Sequence, residues 1–142
     1  MIVDDQAPDR DSLACILKKE GYPYIEASAA LPAIKILESR DISLILLDLQ
    51  LPDINGRFII PQFLKLKPDL HIIVVSSTLD MEERLECFKL GADDFITKPY
   101  HDGETLARIK RSLRECKTDI SQNFQCGNLV LDRNTRRVLC GG

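Results

Sequence analysis

The sequence predicts an α/β fold: a doubly wound, five-stranded parallel sheet with five helices, followed by an incomplete C-terminal β-hairpin. Three observations predict it. Strand-like and helix-like segments alternate five times. The run Ile42-Ser43-Leu44-Ile45-Leu46-Leu47 is almost wholly apolar, as a parallel strand covered on both faces requires. The alternation is complete near residue 118 of 142, so one such unit takes up most of the chain.

Each element has its own signal. Ile2-Val3 is a strand stub. Residues 9–20 carry Leu13, Ile16 and Leu17 at helical spacing, and Gly21 stops that helix. Tyr22 to Ala27 is a short strand and Ala30 to Ser39 a second helix. The apolar run 42–47 is the central strand, and Pro52 to Gly56 a loop. Phe58 to Leu66 is a third helix, with Pro61 placed in its first turns, where proline is tolerated. Ile72 to Val75 is a buried strand, and Asp80 to Leu90 a helix closed by Gly91. Phe95-Ile96-Thr97 ends the fifth strand. Residues 102–118 form a last helix rich in Arg and Lys, and 119–123 a linker. In 124–142, Leu129-Val130-Leu131 and Arg136-Arg137-Val138-Leu139 flank Asp132-Arg133-Asn134-Thr135, a hairpin pattern that needs a partner surface.

Composition narrows the function. Charged residues make up 29% and the net charge is −3, which excludes a uniformly basic nucleic-acid coat. The charge is uneven, −7 over residues 1–97 and +4 over 98–142. No stretch approaches the roughly 18 apolar residues of a membrane span. Nor does Met-Ile-Val-Asp-Asp open like a signal peptide. Cys15, Cys87, Cys116, Cys126 and Cys140 match no zinc or redox spacing, and their odd number points to a reducing cytoplasm. His71 starts a strand far from the expected site, and His101 reads as a surface residue.

In a parallel sheet ligands bind beyond the carboxyl ends of the strands. Asp4 and Asp5 follow the first strand, Asp48 the third, Ser76 and Ser77 the fourth, and Lys98 the fifth. Each has a plain alternative as a cap, turn or solvated residue. Together they gather three carboxylates, a hydroxyl and an ammonium on one rim. Close carboxylates repel unless a cation joins them, and hard oxygen ligands suit Mg²⁺. Such a cation bridges carboxylates and a phosphoryl group. Asp48, at the end of the most apolar strand, is the candidate nucleophile for an aspartyl-phosphate.

At these residues the chain resembles the receiver domain of a two-component response regulator. The motifs that carry the resemblance are Val3-Asp4-Asp5, Leu47-Asp48 through Gly56, Val75-Ser76-Ser77 and Gly91-Ala92-Asp93-Asp94-Phe95-Ile96-Thr97-Lys98-Pro99-Tyr100. It implies a flavodoxin-like sheet in the order 2-1-3-4-5 and transfer of a phosphoryl group from a histidine kinase to Asp48. It implies Mg²⁺ bound directly by Asp5, Asp48 and the Gln50 carbonyl, with Asp4 acting through water. It assigns Ser76 as the switch hydroxyl, Lys98 as the phosphoryl-binding ammonium and Phe95 as the aromatic switch. It also implies a cis Lys98-Pro99 bond, and a role for Gln50 and Thr78 in tuning dephosphorylation. The first strand departs from the family in being short, which puts metal affinity in question.

The segment Gly91 to Tyr100 is similar to the winged-helix (OmpR/PhoB-like) transcription regulators. Residues 124–142 then look like the truncated start of their DNA-binding effector domain, so the expected units are a receiver at 1–118, a linker at 119–123 and that fragment. DNA binding is expected only of a full-length protein. Activated members dimerise through the fourth helix, fifth strand and fifth helix, which implies pairs of Arg84 with Glu104 and Asp94 with Arg108 across a two-fold axis. Two other functions compete: a phosphate-independent interaction module and a small aspartate-nucleophile phosphatase. Against the second, the residue two after Asp48 is Gln50, not an acid.

Overall fold

The computed structural model describes residues 1–126, with side chains described through Arg114. The elements run β1 (Ile2–Val3), α1 (Ala7–Lys19), β2 (Glu26–Ala27), α2 (Ala30–Ser39), β3 (Leu44–Leu47), α3 (Gly56–Leu66), β4 (His71–Ser76), α4 (Met81–Leu90), β5 (Asp94–Thr97) and α5 (Asp102–Cys126). All strand pairings are parallel, in the order β2-β1-β3-β4-β5. The expected α/β sheet is therefore the observed one.

The strands explain the layering. Successive side chains of a strand point to opposite faces. Leu44, Leu46, Ile73, Val75 and Ile96 pack with Ile2 under α1 and α5, through Leu13, Ile16, Leu17 and Ile109. Ile45, Leu47, Ile72, Val74 and Phe95 point the other way, against Ala33, Leu37, Ile59, Ile60, Phe63 and Cys87 of α2, α3 and α4. Both faces of β3 and β4 are thus buried, which is why their sequences are continuous apolar runs rather than alternating ones.

Several boundaries differ from the sequence expectation. β2 is two residues, not six, because β1 offers only Ile2 and Val3 for pairing. β4 extends one residue further at each end than Ile72–Val75, since His71 pairs with Leu44 and Ser76 with Thr97. α3 starts at Gly56, so Pro61 sits beyond the first turn, inside the helix. A proline there removes one helical hydrogen bond, and the buried contacts of Ile59, Ile60 and Phe63 hold the helix on the sheet across it. α5 continues through 119–123, where the sequence suggests a linker. The hairpin expected within 124–142, Leu129 to Leu139, lies outside the described residues, and residues 124–126 belong to α5 rather than to the start of a second unit. Gly91 ends α4 with φ +119°, a backbone angle that favours glycine. Among the described residues no helix is long and apolar enough to cross a membrane.

Candidate functional site

Strand register brings the polar residues together. Val3 is opposite Leu47, and the Asp48 N–H donates to the Val3 carbonyl at 2.9 Å. Asp4 and Asp48 therefore leave adjacent strands at the same level. Leu47 is opposite Val74, which sets Ser76 one residue beyond that level on β4. The Lys98 N–H donates to the Ser76 carbonyl at 2.8 Å, so the chain leaving β5 turns over the same rim. The Lys98–Pro99 peptide bond is cis, as the family resemblance implies.

The charged groups converge. Carboxylate oxygens of Asp4, Asp5 and Asp48 all lie within 4.8 Å of one another. Asp4 and Asp48 are buried, while Asp5 is exposed. Lys98 Nζ donates to Asp4 Oδ2 and to Asp9 Oδ2, both at 2.9 Å, and stands 3.5 Å from Asp48 Oδ2. The Gln50 N–H donates to Asp48 Oδ1 at 3.3 Å. Ser76 Oγ accepts from the Thr78 N–H at 3.4 Å.

Crowding of like charge sets the electrostatics. Burial, and then the negative charge of Asp4, push the Asp48 carboxyl up to about 6, although Lys98 and the Gln50 N–H pull the other way. Burial works against the Lys98 ammonium, but its hydrogen bonds to Asp9 and Asp4 and the charge of Asp48 outweigh that cost. Its pKa is held above the ordinary lysine value. Three carboxylates sharing one ammonium leave the rim with excess negative charge, the condition that a divalent cation relieves. The donor set fits Mg²⁺: all ligands are hard oxygens, and the exposed side at Asp5 leaves room for water.

The loop after Asp48 is fixed from two sides. Asp53 accepts from the N–H groups of Ala30 and Leu31 at 3.0 and 2.8 Å, which caps the start of α2. Burial raises its carboxyl, but the backbone donors win and hold it below the usual range. Gly56 closes the loop from the other side. A Cβ there would stand 2.5 Å from the Asp48 carbonyl oxygen and 2.8 Å from Leu49 Cα. Only glycine permits that approach, which clarifies why a glycine stands eight residues after the candidate nucleophile.

The remaining expected residues flank the edge strand β5, Arg84 and Phe95 on the α4 face and Glu104 and Arg108 on α5. Phe95 is buried on β5, with the Arg84 guanidinium 4.9 Å above its ring. Arg108 donates to Asp94 at 2.7 and 2.8 Å and to Glu104 at 3.4 Å within the same chain. Asp94 and Arg108, expected to meet across a two-fold axis, thus meet inside the subunit, and an intersubunit pair requires exchange of partners. His71 is buried at the far end of β4, with Nδ1 3.4 Å from Asp93, away from the rim as expected.

Two features escaped the sequence. Asp9 reaches Lys98 from the first turn of α1. No local spacing signals that contact, because Asp5 precedes the helix and the partner of Asp9 lies 89 residues further along the chain. The other is the outward stripe of Met81, Leu85 and Phe88 on α4, which are 60%, 51% and 42% exposed. Their i, i+4, i+7 spacing was visible, but it normally marks a buried face.

Comparison with known proteins agrees with this geometry. Residues 1–110 match the response regulator receiver domain. The chain is 34% identical over 145 residues to the phosphate regulon transcriptional regulatory protein PhoB of Pseudomonas aeruginosa. That match covers all of this chain and 63% of the relative, so the chain spans less than two thirds of it. A CheY-like receiver domain from Methanospirillum hungatei superimposes with a TM-score of 0.80 at 32% identity, over 83% of this chain and 94% of that one. DrrB of Thermotoga maritima, described as an OmpR/PhoB homologue, superimposes with a TM-score of 0.72 at 27% identity, over 80% and 51%. The chain belongs to the response regulator receiver domain family, among the OmpR/PhoB-like regulators.

Proposed function

We propose that this chain is the phosphoryl-accepting switch of a two-component system and that Asp48 is the acceptor. The observation that carries the reading is the convergence of the Asp4, Asp5 and Asp48 carboxylates with the Lys98 ammonium at the strand ends. An Asp48 oxygen attacks the phosphorus of a histidine kinase phosphohistidine. The P–N bond breaks as the O–P bond forms, and the electron pair leaves with the imidazole nitrogen. Asp5, Asp48 and the Gln50 carbonyl, with Asp4 through water, would hold Mg²⁺, which would supply neutralising positive charge at the site. Lys98 then pairs with a phosphoryl oxygen, and Ser76 Oγ turns from the Thr78 N–H to donate to another. The chain promotes its own phosphorylation and dephosphorylation and is not a turnover enzyme.

The output is dimerisation through α4, β5 and α5. Phe95 is the coupling side chain, since it lies on the strand that leads to Lys98 and beneath Arg84 of α4. Arg84, Asp94, Glu104 and Arg108 supply charged groups, and exposed Leu85 and Phe88 supply apolar area. The chain acts in the cytoplasm as part of a transcription regulator. Residues 1–118 are the receiver, 119–126 lead out of it as the end of α5, and 127–142 open the DNA-binding effector domain.

The test is incubation with Mg²⁺ and acetyl phosphate, followed by intact mass. The expected result is a labile gain of about 80 Da that Asp48→Ala abolishes. No adduct on the folded protein, or an undiminished adduct on Asp48→Ala, overturns the assignment. Steady hydrolysis of a phosphate monoester, which is not an acyl phosphate or phosphoramidate donor, would point to a phosphatase instead.

A further inference from the structure

Asp9 lies outside the phosphoryl-accepting set, yet its carboxylate touches that set. It sits in the first turn of α1, where an acidic residue is favoured by the helix dipole. The dipole explains a negative charge at this place. It does not explain a 2.9 Å hydrogen bond to an ammonium carried 89 residues further along the chain.

An ammonium has three donors. One goes to Asp4 Oδ2 at 2.9 Å and one to Asp9 Oδ2 at 2.9 Å, while Asp48 Oδ2 stands at 3.5 Å, beyond a good hydrogen bond. The two short partners differ in burial. The Asp4 side chain is 1% exposed, and breaking its bond strands a buried charge. The Asp9 side chain is 37% exposed, and water replaces the lost ammonium at low cost. Asp9 is therefore the releasable arm of the pair.

We propose that Asp9 is a positioning residue that latches Lys98 in the unphosphorylated state, so that a phosphoryl group on Asp48 must compete with Asp9 for the ammonium. The inference rests on the reading of Asp48 as phosphoryl acceptor. Two consequences follow from charge alone. Asp9 adds a fourth carboxylate near the rim, which favours a cation and disfavours an incoming anion. It also neutralises the ammonium that the anion needs. Asp9 sets the threshold of the switch by raising affinity for Mg²⁺ alone and lowering affinity for the phosphoryl group.

The test measures binding in the full chain by NMR titration, first with Mg²⁺ alone and then with beryllofluoride in saturating Mg²⁺ as a phosphoryl mimic. Asp9→Asn is expected to bind beryllofluoride about fivefold more tightly and Mg²⁺ alone more weakly. Asp9→Glu, which keeps the charge and can reach the same ammonium, is expected to stay within about twofold of the parent. Asp11→Asn removes the same charge from an exposed position of the same helix and is expected to behave as the parent. Unchanged or weaker beryllofluoride binding by Asp9→Asn overturns the latch, and so does an equal gain in Asp11→Asn. If the parent chain binds neither probe, the reading of Asp48 as phosphoryl acceptor fails and the latch falls with it.

Discussion

The rim at the strand ends and the outer face of α4 are built on opposite principles. At the rim, polar groups are buried: Asp4 and Ser76 are 1% exposed and Asp48 is 6% exposed. On α4, apolar groups are exposed, and among its residues only Cys87 is buried. A buried polar group is costly without a partner, so the rim is held to one geometry and responds to a change of charge. An exposed apolar stripe gains free energy when it is covered, so the α4 face responds to contact area. The difference teaches how such a switch divides its work. Under the proposed function, the rim is the region that senses charge at fixed geometry, and the α4 face is the one that would convert a small rearrangement into association. Arg84 over Phe95 lies between them.

The comparison is broken most strongly by disturbing the rim's geometry. Gly56→Ala forces a Cβ against the Asp48 carbonyl oxygen and Leu49 Cα, backbone atoms that cannot step aside. Urea unfolding is expected to show a loss of about 3 kcal/mol. Next comes the rim's charge. Lys98→Met removes the ammonium from Asp4 and Asp48, and the initial rate of phosphoryl uptake from acetyl phosphate is expected to fall about 30-fold. The third change addresses the other region. Leu85→Lys places a charge in the middle of the exposed stripe, and sedimentation is expected to show dimerisation of the phosphorylated chain weakened about tenfold. Its phosphorylation rate is expected to match the parent. A Leu85→Lys protein that phosphorylates slowly would erase the division between the regions.

The smallest effect sharpens the electrostatic side. The Asp48 carboxyl is pushed up to about 6 from an ordinary value near 4, so the folded protein binds more protons than the unfolded chain between those pH values. Stability without Mg²⁺ therefore falls as pH rises through that window. Asp48→Asn escapes this cost. Urea unfolding at pH 7 without Mg²⁺ is expected to find it more stable by about 1 kcal/mol, once solvent screening is allowed for. The gap is expected to close as pH falls from 6 towards 4. A gap that widens on acidification would contradict the burial and Asp4 repulsion assigned to Asp48.

The rim was legible because a parallel sheet sends all its strand ends to one side. Asp4, Asp48, Ser76 and Lys98 each end an apolar run, and the run itself announces the strand. Asp9 was not legible in that way. It lies on a helix, and its partner is distant in sequence, so only the folded chain reveals the pair. The direction of the α4 stripe was not legible, for a physical reason. Helical spacing of apolar residues states that they share a face, but not which way the face points. Here Cys87 turns inward and Leu85 and Phe88 turn out. Asp94 and Arg108 illustrate the same limit, because charge complementarity names a pair without saying whether one chain or two supply it.

The central claim is that charge arriving at Asp48 is read as association at the α4 face. Sedimentation of the parent chain and Asp48→Asn, each with Mg²⁺ alone and with Mg²⁺ plus beryllofluoride, tests it most directly. The account predicts that only the parent with both reagents shifts from monomer towards dimer. A shift in Asp48→Asn, or a parent that binds beryllofluoride and stays at the same mass, would contradict it.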